Sequence, residues 1–247
     1  MTNVMERVQK HYNKAVEHYG ADAVLGVFCY GSWNYNTALE NSDVDTKCIL
    51  IPNLYSLAIK PYEVKHLHID DEVCECMSIM HMVANWKKQN INFVEIMFTD
   101  YCIINPLYQE VWYGCFSKEM RERIARYDIA AAIKSMSHQA LHTMHQDPTD
   151  LKKLMNTARI ANTLANLVTN RDRSYKNIIW QNENIRGIRT LKTPIPANFI
   201  GDMEIYFESM IEHADDWGTT PWEKQALDEF LESFILDTIK YRMQSLQ

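Results

Sequence analysis

An α+β fold is what this sequence predicts: a small mixed β-sheet with flanking helices up to about residue 105, then a helical region over residues 106–247. Three observations carry that expectation. Short runs of β-branched and aromatic residues bounded by turn formers are confined to the first hundred residues or so. Apolar positions at helical spacing open the chain and dominate it after Pro106. The composition, 47% apolar, 11% aromatic and 23% charged with only 7 Gly and 7 Pro, is that of a chain able to bury a substantial core.

Residues 3–19 place Val4, Val8, Tyr12, Ala15, Val16 and Tyr19 close to helical spacing, with Asn3 as N-cap and Gly20 as the stop. The apolar run from Ala23 to Tyr30, ended by Gly31, predicts a buried strand, and Val44 to Ile51, ended by Pro52, predicts a second. A third strand is expected within His66 to Met77, followed by a helix over about 79–88. Val94 to Phe98 reads equally as a strand or a short helix, because periodicity does not separate the two in so short a run. Helical stretches are then predicted over about 107–125, 128–146, 150–169, 202–217 and 221–245. Asp150 is placed to cap the third of these, and Pro221 suits a first turn after Thr220. Residues 170–200 read as a long irregular connection, a kind of segment that is often functional.

Six cysteines (Cys29, Cys48, Cys74, Cys76, Cys102 and Cys115) form no C-x-x-C pair, and several lie in strand-like runs, so they read as reduced core residues. The N-terminus has no apolar signal core, and no uninterrupted apolar run approaches the ~20 residues that a bilayer span needs. A cytoplasmic protein, of a cell or a virus-infected host, is the expectation. The net charge of -7 argues against a general nucleic-acid coat protein, but charge is unevenly spread. From Leu151 to Lys192, nine basic residues (Lys152, Lys153, Arg159, Arg171, Arg173, Lys176, Arg186, Arg189 and Lys192) face only Asp172 and Glu183. That segment is +7 and the remainder -14, which suggests one anion-binding surface on an acidic protein.

The most informative string is Gly31-Ser32, ten residues, then Asp43-Val44-Asp45. Two aspartates at i and i+2 on a strand point to one face and can share cations. Gly31 lets the backbone approach a phosphate, and Ser32 brings a hydroxyl and an N–H. Nucleotidyl transfer asks for this combination, since hard cations held by carboxylates stabilise the attacking and leaving oxygens while backbone donors hold the triphosphate. The bland alternative is a surface turn with ordinary loop punctuation.

The stretch from Tyr30 to Lys47 resembles the signature of the DNA polymerase β nucleotidyltransferase superfamily, a Gly-Ser followed by D-x-D on the next strand. Its Ser-Asp-x-Asp form, with an aromatic before Thr-Ala, is most similar to the RNA-repair-pathway polymerase-β-like family. Asn90 to Phe98 resembles that family's Asn-Pro-Asn...Glu-Leu-Leu-Phe stretch, with Ile91 in place of the proline. Lys153 to Arg159 resembles its later Lys...Arg helix, with Asn156 where a histidine is common.

The resemblance spans roughly residues 25–192 and implies a polymerase β-like fold, with residues 1–105 as catalytic domain and 106–247 as helical domain. It further implies a transferase that moves a nucleoside monophosphate from a nucleoside triphosphate to a hydroxyl acceptor, with two Mg²⁺ ions held by Asp43, Asp45 and a third carboxylate. Candidates for the third are Asp70, Asp71, Glu72 and Glu75. Glu75 is preferred, because it lies inside the Val73 to Met77 pattern, where an isolated charge is costly unless paired with a metal. Gly31, Ser32, Lys152, Lys153 and Arg159 are the expected triphosphate contacts. Lys152 and Arg159, seven apart, share a helix face, whereas Lys153 and Arg159 do so incompletely. An RNA end, tRNA included, is slightly favoured as acceptor by the +7 segment, with a protein or a small hydroxyl compound also fitting.

Three other features invite a function. His138, His142 and His145 line one helix face and two such residues can bind zinc, but no carboxylate motif accompanies them. Met77, Met80, Met82 and Trp86 read as helix core. Trp33 and Tyr35 could stack on a base or anchor the motif loop. The main alternative to an enzyme is a non-catalytic module that retains the fold to bind a nucleotide or a protein.

Overall fold

The computed structural model describes residues 4–170, 173–218 and 221–245; Asn3 and Thr220, expected to cap and precede helices, lie outside the described residues. Helix α1 (Val4–Tyr19) buries Val4, Val8, His11 and Ala15 along one stripe. Strand β1 (Val24–Cys29) follows, buried at every residue, and leads through the motif loop to β2 (Thr46–Leu50). A short helix α2 (Leu54–Ile59), capped by Asn53, precedes β3 (Val64–Ile69) and β4 (Glu72–Ser78). Helices α3 (Ile79–Lys87) and α4 (Ile91–Val94) and the edge strand β5 (Cys102–Ile104) complete this half.

The five strands form one mixed sheet in the order β3-β4-β2-β1-β5, with β2 and β4 parallel and every other pair antiparallel. Strand alternation sorts its two faces. Val27, Cys29, Cys48, Cys74 and Cys76 pack beneath α1. Leu25, Phe28, Ile49 and Met77 point the other way, into the larger core. A side chain at Gly26 would meet the Ile103 carbonyl at 2.8 Å, so glycine there is what lets β5 approach β1.

Where a single strand is expected within His66 to Met77, the chain makes a hairpin, turned by Asp70 and Asp71 with Asp70 in the left-handed region at φ 53°. Asp tolerates that conformation better than most residues, so the turn forms without glycine. Val94 to Phe98 is helical: α4 ends at Val94 and a 3-10 turn covers Glu95–Met97, with the Asn90 side chain accepting from the Asn92 N–H at the start.

The helices after residue 105 are α5 (Gln109–Cys115), α6 (Lys118–Ala125), α7 (Ile129–Gln146), α8 (Leu151–Thr169), α9 (Tyr175–Ile179), α10 (Glu183–Ile188), α11 (Phe199–Glu212) and α12 (Pro221–Ser245). The stretch expected as one helix over 107–125 breaks where Ser117 caps α6. The connection expected to be irregular over 170–200 contains α9 and α10, whose buried Tyr175, Ile178, Ile179 and Ile188 give a short helix a reason to form.

The main core crosses residue 105 without a break. Phe28 of β1 meets Trp112 at 5.0 Å between ring centres, Trp112 meets Phe116 at 4.6 Å, and Phe116 meets Phe234 of α12 at 4.6 Å. All six cysteines are free, four of them buried. Among the described residues no helix is long and apolar enough to cross a membrane.

Candidate functional site

After β1 the backbone enters the left-handed region at Gly31, φ 83°, where a Cβ would meet no atom within 4 Å. The backbone angle alone therefore calls for glycine. The loop that follows is fastened to a buried acid, Glu95. Both Glu95 oxygens accept the Gly31 N–H at 3.2 Å; Oε2 also accepts from Asn34 Nδ2 at 3.2 Å, and Oε1 from the Tyr35 hydroxyl at 2.6 Å. Burial raises Glu95 to about 7, against the Tyr35 hydrogen bond and the Arg159 charge, which act to lower it. The Gly31 N–H is thus directed into the protein. Ser32 is half-buried, and its carbonyl closes the loop by accepting from the N–H groups of Thr37 at 3.0 Å and Ala38 at 3.2 Å. Trp33 donates its indole N–H to the Asp43 carbonyl at 2.9 Å, and Tyr35 is buried, so both aromatics anchor the loop.

The loop delivers Asp43 and Asp45 just ahead of β2, both exposed, with Val44 buried between them. The alternation expected of the pair is present. The Asp45 carboxyl is raised, first by desolvation and then by the Asp43 charge, with Glu75 adding to the rise and Lys152 and Lys47 opposing it. Asp43, Glu75, Lys47 and Lys152 therefore all act on Asp45.

Glu75 stands opposite Lys47 in the parallel β2/β4 register. Its Oε2 pairs with the Lys47 ammonium at 2.5 Å, and its Oε1 accepts from the Tyr30 hydroxyl at 3.1 Å. The ammonium also lies 3.8 Å from the Tyr30 ring centre and 4.5 Å from that of Phe93. Lys47 is thus the partner that the costly charge at position 75 requires. Among the described residues no three His, Cys, Asp or Glu side chains come together as a metal-binding group, and Glu75 is turned towards Lys47.

Helix α8 brings the basic residues. Asp150 caps it, accepting from the N–H groups of Lys152 at 2.7 Å and Lys153 at 3.3 Å. Lys152 is exposed and its charge acts on Asp45, whereas Lys153 joins Thr149 in lowering Asp147. Two turns on, Arg159 is 3% exposed, and its guanidinium lies 3.8 Å from the centre of the Tyr35 ring. Among the described residues its Nε and Nη1 have no hydrogen-bond partner. Within the rest of the basic segment, Lys176 pairs with Asp100 at 2.5 Å, Arg186 with Glu183 at 3.6 Å, and Arg189 donates to Ser42 Oγ at 3.3 Å. Arg171 lies outside the described residues.

The three histidines of α7 are exposed and separately engaged: His138 with the Lys134 carbonyl at 2.7 Å, His142 with Gln146 at 2.8 Å, and His145 with Glu204 at 2.7 Å. Lys47, Glu95, Glu72 and Arg189 are contributors to which the motif does not point. Each left a trace in the sequence: Lys47 continues the alternation of Asp43 and Asp45, Glu95 is a lone acid in an apolar run, Glu72 stands among the candidates for the third carboxylate, and Arg189 belongs to the basic segment.

No protein-family model matches the chain, and no curated protein is similar to it. What fold and site define by themselves is an α+β protein that gathers an exposed aspartate pair, a lysine from α8 and a buried arginine, two of whose donors have no hydrogen-bond partner among the described residues, around one glycine-initiated loop.

Proposed function

We propose that the protein is a metal-dependent nucleotidyltransferase of the polymerase β-like kind, moving a nucleoside monophosphate from a nucleoside triphosphate to a hydroxyl acceptor. The observation that carries this reading is the exposed Asp43–Asp45 pair, with Lys152 acting on Asp45 and Arg159 two turns further along the same helix carrying two donors without a hydrogen bond among the described residues. Neighbouring carboxylates, of which Asp45 has its proton affinity raised by burial and by the Asp43 charge, suit a hard divalent cation, which takes oxygen ligands. A buried arginine with two unpaired donors suits a phosphate, because leaving such donors unsatisfied is expensive.

In this reading Asp43 and Asp45 hold Mg²⁺, and Glu75 stands beside them with Lys47 as its counter-ion. When bound, Mg²⁺ would offset the phosphate charge at the attacking and leaving oxygens. Lys152 and Arg159 receive the triphosphate, and the Gly31 to Thr37 loop is held in place through its attachment to Glu95. The acceptor oxygen bonds to the α-phosphorus, the bond to pyrophosphate breaks, and the hydroxyl proton passes to a carboxylate, for which Glu75 is the candidate. An RNA end is the favoured acceptor, on the basic character of residues 151–192, although Lys176 and Arg186 spend their charge within the protein.

A second reading, a non-catalytic module that binds a nucleotide or a protein, draws on the Lys47–Glu75 ion pair, which occupies the third carboxylate. A labelled-triphosphate transfer assay with Mg²⁺, total RNA and a protein lysate separates the two. Label is expected in one fraction with the wild type and in none with Asp43→Ala combined with Asp45→Ala. No product anywhere, or labelling that the double variant retains, would remove the enzymatic reading.

A further inference from the structure

We infer that Glu72 is a positioning residue for the aspartate pair, clamping the backbone between Asp43 and Asp45 from behind; this rests on the metal-binding reading above.

Glu72 opens β4, and its side chain is 11% exposed. Its Oε1 accepts the Val44 N–H at 2.7 Å, the one amide that lies between the two acids. The same oxygen is paired with the Arg7 guanidinium of α1, and Oε2 lies 3.2 Å from His11 Nε2. Arg7 also donates to the Ser42 carbonyl at 3.2 Å, and His11 Nδ1 meets Thr46 Oγ1 at 2.7 Å. Residues 42, 44 and 46 are thus each held from the α1 side, while 43 and 45 are exposed on the other. Val44 repeats the pattern with its side chain, which is fully buried in the cluster beneath α1.

The arrangement has a chemical purpose. Carboxylates that share a cation must be held to within about 0.5 Å, and exposed aspartates at a strand's entrance have no packing of their own to do it. Groups that orient metal ligands from outside typically change metal affinity or activity by about 10–100-fold when removed. Of the four acids between residues 70 and 75 that invite a role, Glu72 is the one bonded to the motif's backbone.

The test uses the full chain, Mn²⁺ as probe, and three readouts: Mn²⁺ affinity by electron paramagnetic resonance without nucleotide, kcat and KM in the transfer assay, and Tm. Glu72→Ala is expected to weaken Mn²⁺ binding by roughly 10–100-fold and to lower kcat with little change in KM. Glu72→Gln, whose amide oxygen still accepts from Val44, should recover most of that loss. Asp22→Asn, which breaks an ion pair with Arg242 far from the motif, should lower Tm and leave Mn²⁺ affinity alone. Wild-type affinity in Glu72→Ala, equal losses in the Ala and Gln variants, or a wild type that binds no Mn²⁺ would each overturn the proposal. Should Glu72→Ala fail to fold, Arg7→Gln takes its place, with a smaller loss expected and an unchanged affinity counting against the clamp. A wild type that binds Mn²⁺ with this Glu72 dependence but transfers no label would sustain the clamp and remove the transferase.

Discussion

Arg159 and Glu95 are charged residues that the core tolerates for different reasons. Arg159 carries unsatisfied donors over the Tyr35 ring, whereas Glu95 is surrounded by donors and still sits at about 7 because burial outweighs them. Replacing Arg159 with Met removes a buried, incompletely paired charge, a change that is often neutral or stabilising. Arg159→Met is expected to keep or raise Tm in thermal melts while weakening triphosphate affinity at least tenfold by calorimetry. Unaltered affinity would place the phosphate elsewhere. Glu95, raised from 4.5 to about 7, binds its proton more tightly folded than unfolded, so its contribution is fully present below pH 4.5 and is lost as pH rises through 7. The span corresponds to roughly 3 kcal/mol. Glu95→Gln should flatten the fall in Tm between pH 5 and pH 8, and an unchanged slope would show that another group sets it. Asp43 and Asp45 are legible in the sequence because their relation is local, two residues apart on an extended chain. Glu95 and Glu72 reach the same loop from 64 and 28 residues away, and nothing in spacing announces such partners.

Elements with a strong local signal stand where periodicity and punctuation place them: α1 follows from its apolar spacing with Gly20 as the stop, and α8 from its apolar spacing with Asp150 as the cap. The β3–β4 hairpin does not, because its Asp70-Asp71 turn lacks the glycine that usually marks a tight hairpin, and the two strands merge into one apparent run. Helices α9 and α10 are too short for periodicity, and their formation depends on tertiary burial. The motif loop is an element in its own right, with its shape set at Gly31. Gly31→Ala forces a Cβ into the left-handed region and should cost about 1–2 kcal/mol in chemical denaturation, even though the space is open. Full stability in the variant would mean that the loop's shape is not set there.

Across the whole molecule, one aromatic chain from Phe28 through Trp112 and Phe116 to Phe234 joins the sheet to α12. Residues 1–105 alone are therefore expected to lack a cooperative thermal transition by circular dichroism, since Phe28 and its neighbours would lose the helices that cover them. A sharp transition in that fragment would show the sheet to be self-sufficient. The ion pair between Asp22 and Arg242, with a further bond from Arg242 to the Ile51 carbonyl, belongs to the same closure. A ribosome makes these partners in strict order, 220 residues apart. The sheet that carries the aspartates must wait, half-covered, for a helix that is translated only long after β5 is complete, and during that interval its apolar face is what a chaperone would meet.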